Sequence, residues 1–137
     1  MLSNQKRKKR VFLSFIKEDE PSVNGLRLLK SNDSFDIEFY DESVRTAIDS
    51  VNASYIKQKI RDKISRSSVT VCLISTNTYR SAWVAWELKE TDIQRKPIIA
   101  MALKGVTRAV LPSIIRSKGL AFHPWDYGKL ADLIAKA

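Results

Sequence analysis

The chain has 137 residues, of which 44% are hydrophobic and only four are glycine and four proline, so we expect one globular domain. One cysteine and one histidine cannot build a zinc site, and the apolar runs are far shorter than the roughly 20 residues that span a bilayer. The first residues also lack the apolar core of a signal peptide. We therefore expect a cytoplasmic protein with no bound metal and no membrane contact.

The net charge of +9 is concentrated at the amino terminus, where Lys6–Arg10 supplies five positive charges. A basic run of this kind can contact nucleic acid. A short basic run beside a strand is more often a solvated flank that discourages edge pairing. We therefore interpret residues 1–10 as a basic tail and residues 11–137 as the folded domain, and we do not expect nucleic acid to be the main partner.

Strand-like and helix-like segments alternate along the chain. Apolar runs predict strands at 11–16, 35–39, 69–75, 97–103 and 120–122. Helical spacing predicts helices at 21–30, at 53–66, from 82, around 110–116 and from about 126. This alternation is typical of a three-layer α/β domain with a parallel sheet, and the size favours the flavodoxin-like strand order 2-1-3-4-5.

The helix that follows the third strand carries the leading candidate for a functional group. Ser81 can cap this helix, and Glu87 is the only charge among the apolar residues of Ala82–Leu88. These side chains are spread around the helix, so we expect this end to be buried on most sides. The pattern alone leaves both a functional and a structural role for Glu87 open.

The motifs that are missing narrow the possible chemistry. The sequence contains no glycine-rich phosphate loop and no Ser-His-Asp arrangement, and the third strand ends without the aspartate of a phosphoacceptor site. A lone carboxylate cannot perform sugar hydrolysis that needs two. It can hold ribose hydroxyls and stabilise an oxocarbenium-like transition state when the leaving group is good. Nicotinamide, which leaves NAD as a neutral base, is such a group.

Two blocks of the sequence resemble TIR domains. Val11–Asp19 resembles their opening strand and loop (x-V-F-x-S-F/Y-x-x-x-D), and Ser81–Leu88 resembles their S-x-W-C-x-x-E-L helix, whose glutamate is catalytic. The resemblance covers about residues 10–135 and is greatest to the bacterial TIR-like group that includes the ThsB proteins of Thoeris anti-phage defence. The sequence departs from the pattern at Val84, where the cysteine is usual, and in its first loop, which lacks the Arg-Gly-Glu of plant members.

The resemblance implies an enzyme that cleaves NAD, its substrate, at the nicotinamide–ribose bond without a resident cofactor. The implied product is a cyclic ADP-ribose-type signal that activates a separate effector, with a phage component as trigger and self-association of the domain. By position, Glu87 would be catalytic and contact the nicotinamide ribose. Five further residues are implied to bind substrate or line its pocket: Ser14, Phe15, Asp41, Trp83 and Trp86.

Other interpretations remain open at this point. Phe15, Trp83 and Trp86 are also typical core residues, and Asp41 is typical of a solvated loop. The domain could be a non-catalytic self-association module with the basic helix 53–66 as its assembly face. It could also be a nucleoside deoxyribosyltransferase, another flavodoxin-like enzyme with a glutamate at a ribose, or a nucleic-acid binder that uses its tail.

Overall fold

In a computed structural model, the residues described are 9–26, 35–38 and 48–137. Within them, five strands form one parallel sheet in the order β2-β1-β3-β4-β5, which confirms the predicted flavodoxin-like order. The strands are β1 (Lys9–Ser14), β2 (Phe35–Glu38), β3 (Val69–Ile74), β4 (Ile98–Ala102) and β5 (Phe122–His123). The helices are α1 (Glu20–Leu26), α2 (Ala53–Ser65), α3 (Ala82–Ile93), α4 (Ser113–Ser117) and α5 (Tyr127–Lys136).

The bounds differ from the sequence prediction at both ends of the chain. Strand β1 begins at Lys9, inside the expected tail, and the Lys9 ammonium donates a hydrogen bond to the Ala137 carbonyl at 2.6 Å. Strand β5 begins only at Phe122, because the Leu120 amide is bonded to the Ile115 carbonyl in helix α4. The predicted helix 21–30 is described as far as Leu26.

Helices cover both faces of the sheet. Side chains alternate along each strand, so both faces carry apolar residues that pack against helices. Val11 and Leu13 of β1 pack with α1 and α5 in one hydrophobic cluster. On the other face, Phe12 packs against α2, and β3 and β4 pack against α3 and α4. The sheet is therefore enclosed on both sides, as the near-continuous apolar strands predicted.

Helix α2 packs through the spacing that predicted it. Its isoleucines recur every four residues, which places them on one face, and Ile56, Ile60 and Ile64 are 4%, 0% and 0% exposed. Within the described ranges, no helix combines the length and the apolar character needed to cross a bilayer.

Helix α3 is less enclosed than predicted. Trp83, Val84 and Leu88 are buried, but Ala82, Ala85 and Lys89 are exposed. Residues three and four apart share one side of a helix, so these three form a solvent-facing stripe. The expectation of burial on most sides is wrong for this stripe, although it holds for the side that faces the sheet.

The amino-terminal cap of α3 provides a direct test of how this helix is held. The Ser81 hydroxyl accepts a hydrogen bond from the Val84 amide at 3.1 Å. Replacing Ser81 with Ala is expected to lower the free energy of unfolding by about 0.5–2 kcal/mol, because that amide loses its partner. Urea denaturation measures the change. Ser81→Asp, which restores an acceptor, should recover most of the loss, and equal losses in both variants would contradict the capping role.

Candidate active site at the carboxyl edge of the sheet

A hydroxyl and a carboxylate meet inside the domain where β1 ends. Ser14 is the last residue of β1 and Glu87 lies in the second turn of α3, and both are 0% exposed. The Ser14 hydroxyl donates a hydrogen bond to Glu87 Oε1 at 2.7 Å. The alternation along β1 points Ser14 toward the α3 side of the sheet, and the inward face of α3 carries Glu87. Two residues 73 positions apart thus form one buried polar pair.

A second set of hydrogen bonds fixes α3 on the sheet next to this pair. Thr91 donates its hydroxyl proton to the Glu87 backbone carbonyl at 2.8 Å, one helical turn earlier. The Thr70 and Thr91 hydroxyl oxygens, one from β3 and one from α3, lie 2.8 Å apart. Both threonines are fully buried, so these contacts give polar groups a partner away from water. They hold the helix backbone that carries Glu87.

Cys72 completes the surroundings of the carboxylate. It lies on β3 directly beside Ser14 in the strand register and is fully buried, as predicted for a core cysteine. Burial raises the pKa of the Cys72 thiol, and the Glu87 charge raises it further. The thiol therefore stays protonated and is not a nucleophile.

The loops after β1 and β3 are tied together at the same edge of the sheet. The Ser75 hydroxyl donates to Asp19 Oδ2 at 2.5 Å, and the Ser75 amide donates to the Thr78 hydroxyl oxygen at 2.8 Å. Further out, the Asn77 amide group donates to a Glu18 carboxylate oxygen at 3.3 Å. The chain leaves β1 and β3 toward opposite faces here, which is where open α/β sheets bind ligands.

Asp19 is the titratable group of this loop junction. Burial raises the pKa of its half-buried carboxyl above the ordinary value of 3.8, the Ser75 hydrogen bond lowers it, and the Glu18 charge raises it. Asp19 ends the Val11–Asp19 block, but neither Asp19 nor Ser75 was predicted as a site residue. The signal that could have found them is that both follow the carboxyl ends of strands that are neighbours in the predicted order.

A family model described as Thoeris protein ThsB, TIR-like domain, matches residues 12–108. The chain belongs to this family. The matched range contains the Ser81–Leu88 block and all but the first residue of the Val11–Asp19 block, and it includes Ser14 and Glu87. A search of curated proteins gives no match.

Two solved structures share the fold of this TIR-like domain. A 2-deoxyribosyltransferase from Bacillus psychrosaccharolyticus is 16% identical over 88% of this chain and 89% of its own, with a TM-score of 0.62. The TIR domain of the Toll-related receptor TRR-2 from Hydra magnipapillata is 15% identical over 92% of this chain and 91% of its own, with a TM-score of 0.54. At such identities the likeness establishes the flavodoxin-like fold alone.

The structure brings together some of the predicted site residues of the TIR-like domain and separates others. Ser14 and Glu87 are in contact. Phe15 is 2% exposed and belongs to the cluster on the opposite face of the sheet, with α1 and α5. Trp83 is 8% exposed and packs in the cluster of Phe12 and the α2 isoleucines. Asp41 lies outside the described residues.

Trp86 lies at the junction of α2 and α3. Its ring meets that of Trp83 edge-on, with the centroids 6.2 Å apart, and it is half-buried. Two cations of α2 approach it, with Lys57 Nζ 5.9 Å and the Arg61 guanidinium carbon 5.4 Å from the ring centroid. Arg61 also pairs with Glu90 at 3.3 Å. These contacts join the two helices, so Trp86 has a packing role in this structure.

The buried thiol beside Glu87 can report whether this part of the domain opens. Cys72 is the only cysteine of the chain, so a thiol reagent gives an unambiguous signal. Because Cys72 is buried and protonated, we expect native protein to react only as fast as it opens or unfolds, and unfolded protein to react at once. Stopped-flow absorbance with an aromatic disulfide measures both rates. Full labelling of native protein at the unfolded rate would contradict this description.

Asp19 should make stability depend on pH. A raised pKa means that the folded state holds this proton more tightly than the unfolded chain, so stability is lost as the pH rises from 3.8 through the raised pKa. The Asp19→Asn variant avoids this loss and keeps an oxygen that can accept from Ser75. Relative to wild type, it should therefore gain stability between about pH 3 and pH 7, measured by urea denaturation.

The exposed Asp132, paired with Lys136 on α5, provides the control for this measurement. Asp132→Asn should show little change relative to wild type across the same pH range, because surface pairs contribute little. A stability difference for Asp19→Asn that does not change with pH would contradict the raised pKa.

Proposed function

We propose that the protein cleaves NAD at the nicotinamide–ribose bond, with Glu87 as the catalytic carboxylate, and makes a cyclic ADP-ribose-type signal in bacterial anti-phage defence. The observation that carries this proposal is the buried Ser14–Glu87 pair at the carboxyl edge of the sheet. Carboxylates are rarely buried unless a function or a partner holds them there. Membership of the Thoeris ThsB family supports the same chemistry.

In the proposed reaction, Glu87 accepts hydrogen bonds from the hydroxyls of the nicotinamide ribose. The bond between the ribose C1′ and the pyridinium nitrogen breaks, and its electron pair leaves with nicotinamide as a neutral base. The positive charge that develops on the ribose ring is stabilised by the nearby carboxylate, which is worth most in a dry site. A nucleophile of the same molecule then attacks C1′ and loses its proton, which closes the ring of the product; water in its place gives ADP-ribose.

Ser14 has a positioning role in this proposal. Its hydroxyl donates to one oxygen of the Glu87 carboxylate, and its own position is fixed by the pairing of β1 with β3. A carboxylate whose orientation is set before substrate binds does not have to reorganise during the reaction. Ser14 therefore acts through Glu87 rather than as a separate wall of the substrate pocket.

We infer from the burial of Glu87 that this structure is a resting conformation. Glu87 has 0% of its surface exposed, so a ribose can contact it only after neighbouring groups move. We propose that a phage component triggers this movement and that self-association of the domain favours it. The product then carries the signal to a separate effector, which need not touch this protein.

Deoxyribosyl transfer is the second candidate function. It requires a carboxylate beside a sugar, and one of the similar structures is described as a 2-deoxyribosyltransferase. That likeness extends to the fold alone, whereas the family match includes the Glu87 block. NAD cleavage is therefore the better supported activity. Base exchange on deoxynucleosides, with NAD unchanged, would favour the second candidate.

The test is to infect bacteria that express wild type, Glu87→Gln or Glu90→Gln and to follow NAD, nicotinamide and ADP-ribose products by mass spectrometry. Glu90 is the matched control, because it lies on the same helix, is 7% exposed and pairs with Arg61. Wild type and Glu90→Gln should consume NAD, while Glu87→Gln should be slower by about 100-fold or more, since one stabilising group of the transition state is lost.

Two outcomes would overturn the proposal. Equal NAD consumption by wild type and Glu87→Gln would remove Glu87 from the reaction. If the separate effector is still activated although no product depends on Glu87, the result would instead favour a non-catalytic self-association module. Circular dichroism of the purified variants shows whether each protein is folded, so that a loss of activity is not confused with a loss of structure.

A further inference from the structure

A cavity of about 290 Å³ lies on the side of the sheet that faces away from Glu87. Its lining comes from three places: Ser22 and Gly25 of α1, Leu103 and Lys104 after β4, and Trp125 before α5. Leu103 and Trp125 belong to the hydrophobic cluster of α1 and α5, whereas Glu87 is on the α3 face. The volume is near the lower limit of small-molecule pockets, which is roughly 300 Å³.

The polar groups of this cavity are hydrogen-bond donors. Lys104 offers its ammonium group, Trp125 its indole N–H and Ser22 its hydroxyl. Among residues 9–26, 35–38 and 48–137, none of these three side chains has a hydrogen-bond or ion-pair partner. Three such donors around one cavity favour a ligand that carries acceptors and negative charge.

Gly25 lines an open part of the cavity wall. A Cβ added at this position would meet no described atom within 4 Å, and the backbone has no positive φ that would call for glycine. Glycine is also among the least favourable residues in a helix. A glycine that adjoins a cavity lets a ligand approach the helix backbone closely.

We propose that this cavity binds a nucleoside monophosphate group, with the base against the Trp125 ring and the phosphate at Lys104. One part of the half-buried Trp125 ring packs on the core, which fixes the ring, and the remainder faces the cavity. Aromatic rings stack on nucleobases of every type, and a lysine ammonium is a common partner of phosphate groups. The group can belong to a free nucleotide or to the adenosine half of a dinucleotide.

The experiment is calorimetric titration of the full chain with AMP. Gly25→Leu fills the open space and Lys104→Gln removes the charge, and each should weaken AMP binding by about tenfold or more. Both residues are exposed, so neither change disturbs the core. The matched controls are Gly128→Leu in α5 and Lys59→Gln in α2, which lie outside the cavity and should bind AMP as wild type does.

Fragments of AMP test whether both contacts are needed, and dinucleotides test the source of the bound group. Adenosine and inorganic phosphate should each bind at least about tenfold more weakly than AMP, because each lacks one of the two contacts. Competition by ADP-ribose, or by NAD with the Glu87→Gln protein, would identify a dinucleotide as the source of the group. A lack of competition would identify a free nucleotide.

The inference fails if folded wild type does not bind AMP at millimolar concentration, if phosphate alone binds as tightly, or if all four variants bind AMP equally. It does not depend on NAD cleavage, since AMP has no nicotinamide bond. Binding that the cavity variants weaken would therefore stand even if Glu87→Gln left NAD consumption unchanged.

Discussion

The hydrogen bond from Ser14 to Glu87 depends on nearly every other feature of the fold. It requires β1 to lie in the middle of the sheet, next to β3, and α3 to cover the face toward which Ser14 points. A buried carboxylate is costly unless hydrogen bonds compensate for the lost water, so α3 cannot rotate freely about its axis. The contacts of Thr91 with Thr70 and with the Glu87 carbonyl hold the same helix at its next turn. The site is thus built into the core rather than added on a loop.

The sequence was sufficient to predict the strand order, the packing face of α2 and the burial of Glu87. These follow from local patterns: apolar runs, isoleucines spaced by four, and a single charge among apolar neighbours. It was also sufficient to separate Ser14 from Phe15, because consecutive residues of a strand point to opposite faces. The structure shows the consequence of this alternation, because Phe15 packs with α1 and α5 while Ser14 contacts Glu87 on the other face.

Contacts between distant segments could not be predicted in the same way. The bond between Ser75 and Asp19 joins two loops 56 residues apart. The predicted strand order brings the two loops to one edge of the sheet, but it does not specify which of their side chains pair. Trp86 likewise gains its cations from α2, so no basic run near Trp86 in the sequence signals them. Such contacts follow from how the elements pack, which the order of the strands restricts but does not determine.

We propose that Ser14 and Glu87 act as one catalytic unit, and the rate of nicotinamide release from NAD in extracts of infected cells tests this proposal. We expect Glu87→Gln to lower the rate by about 100-fold or more and Ser14→Ala to lower it by a smaller factor, since the carboxylate remains but is less well oriented. An unchanged rate in Glu87→Gln, or wild-type release in Ser14→Ala, would contradict it.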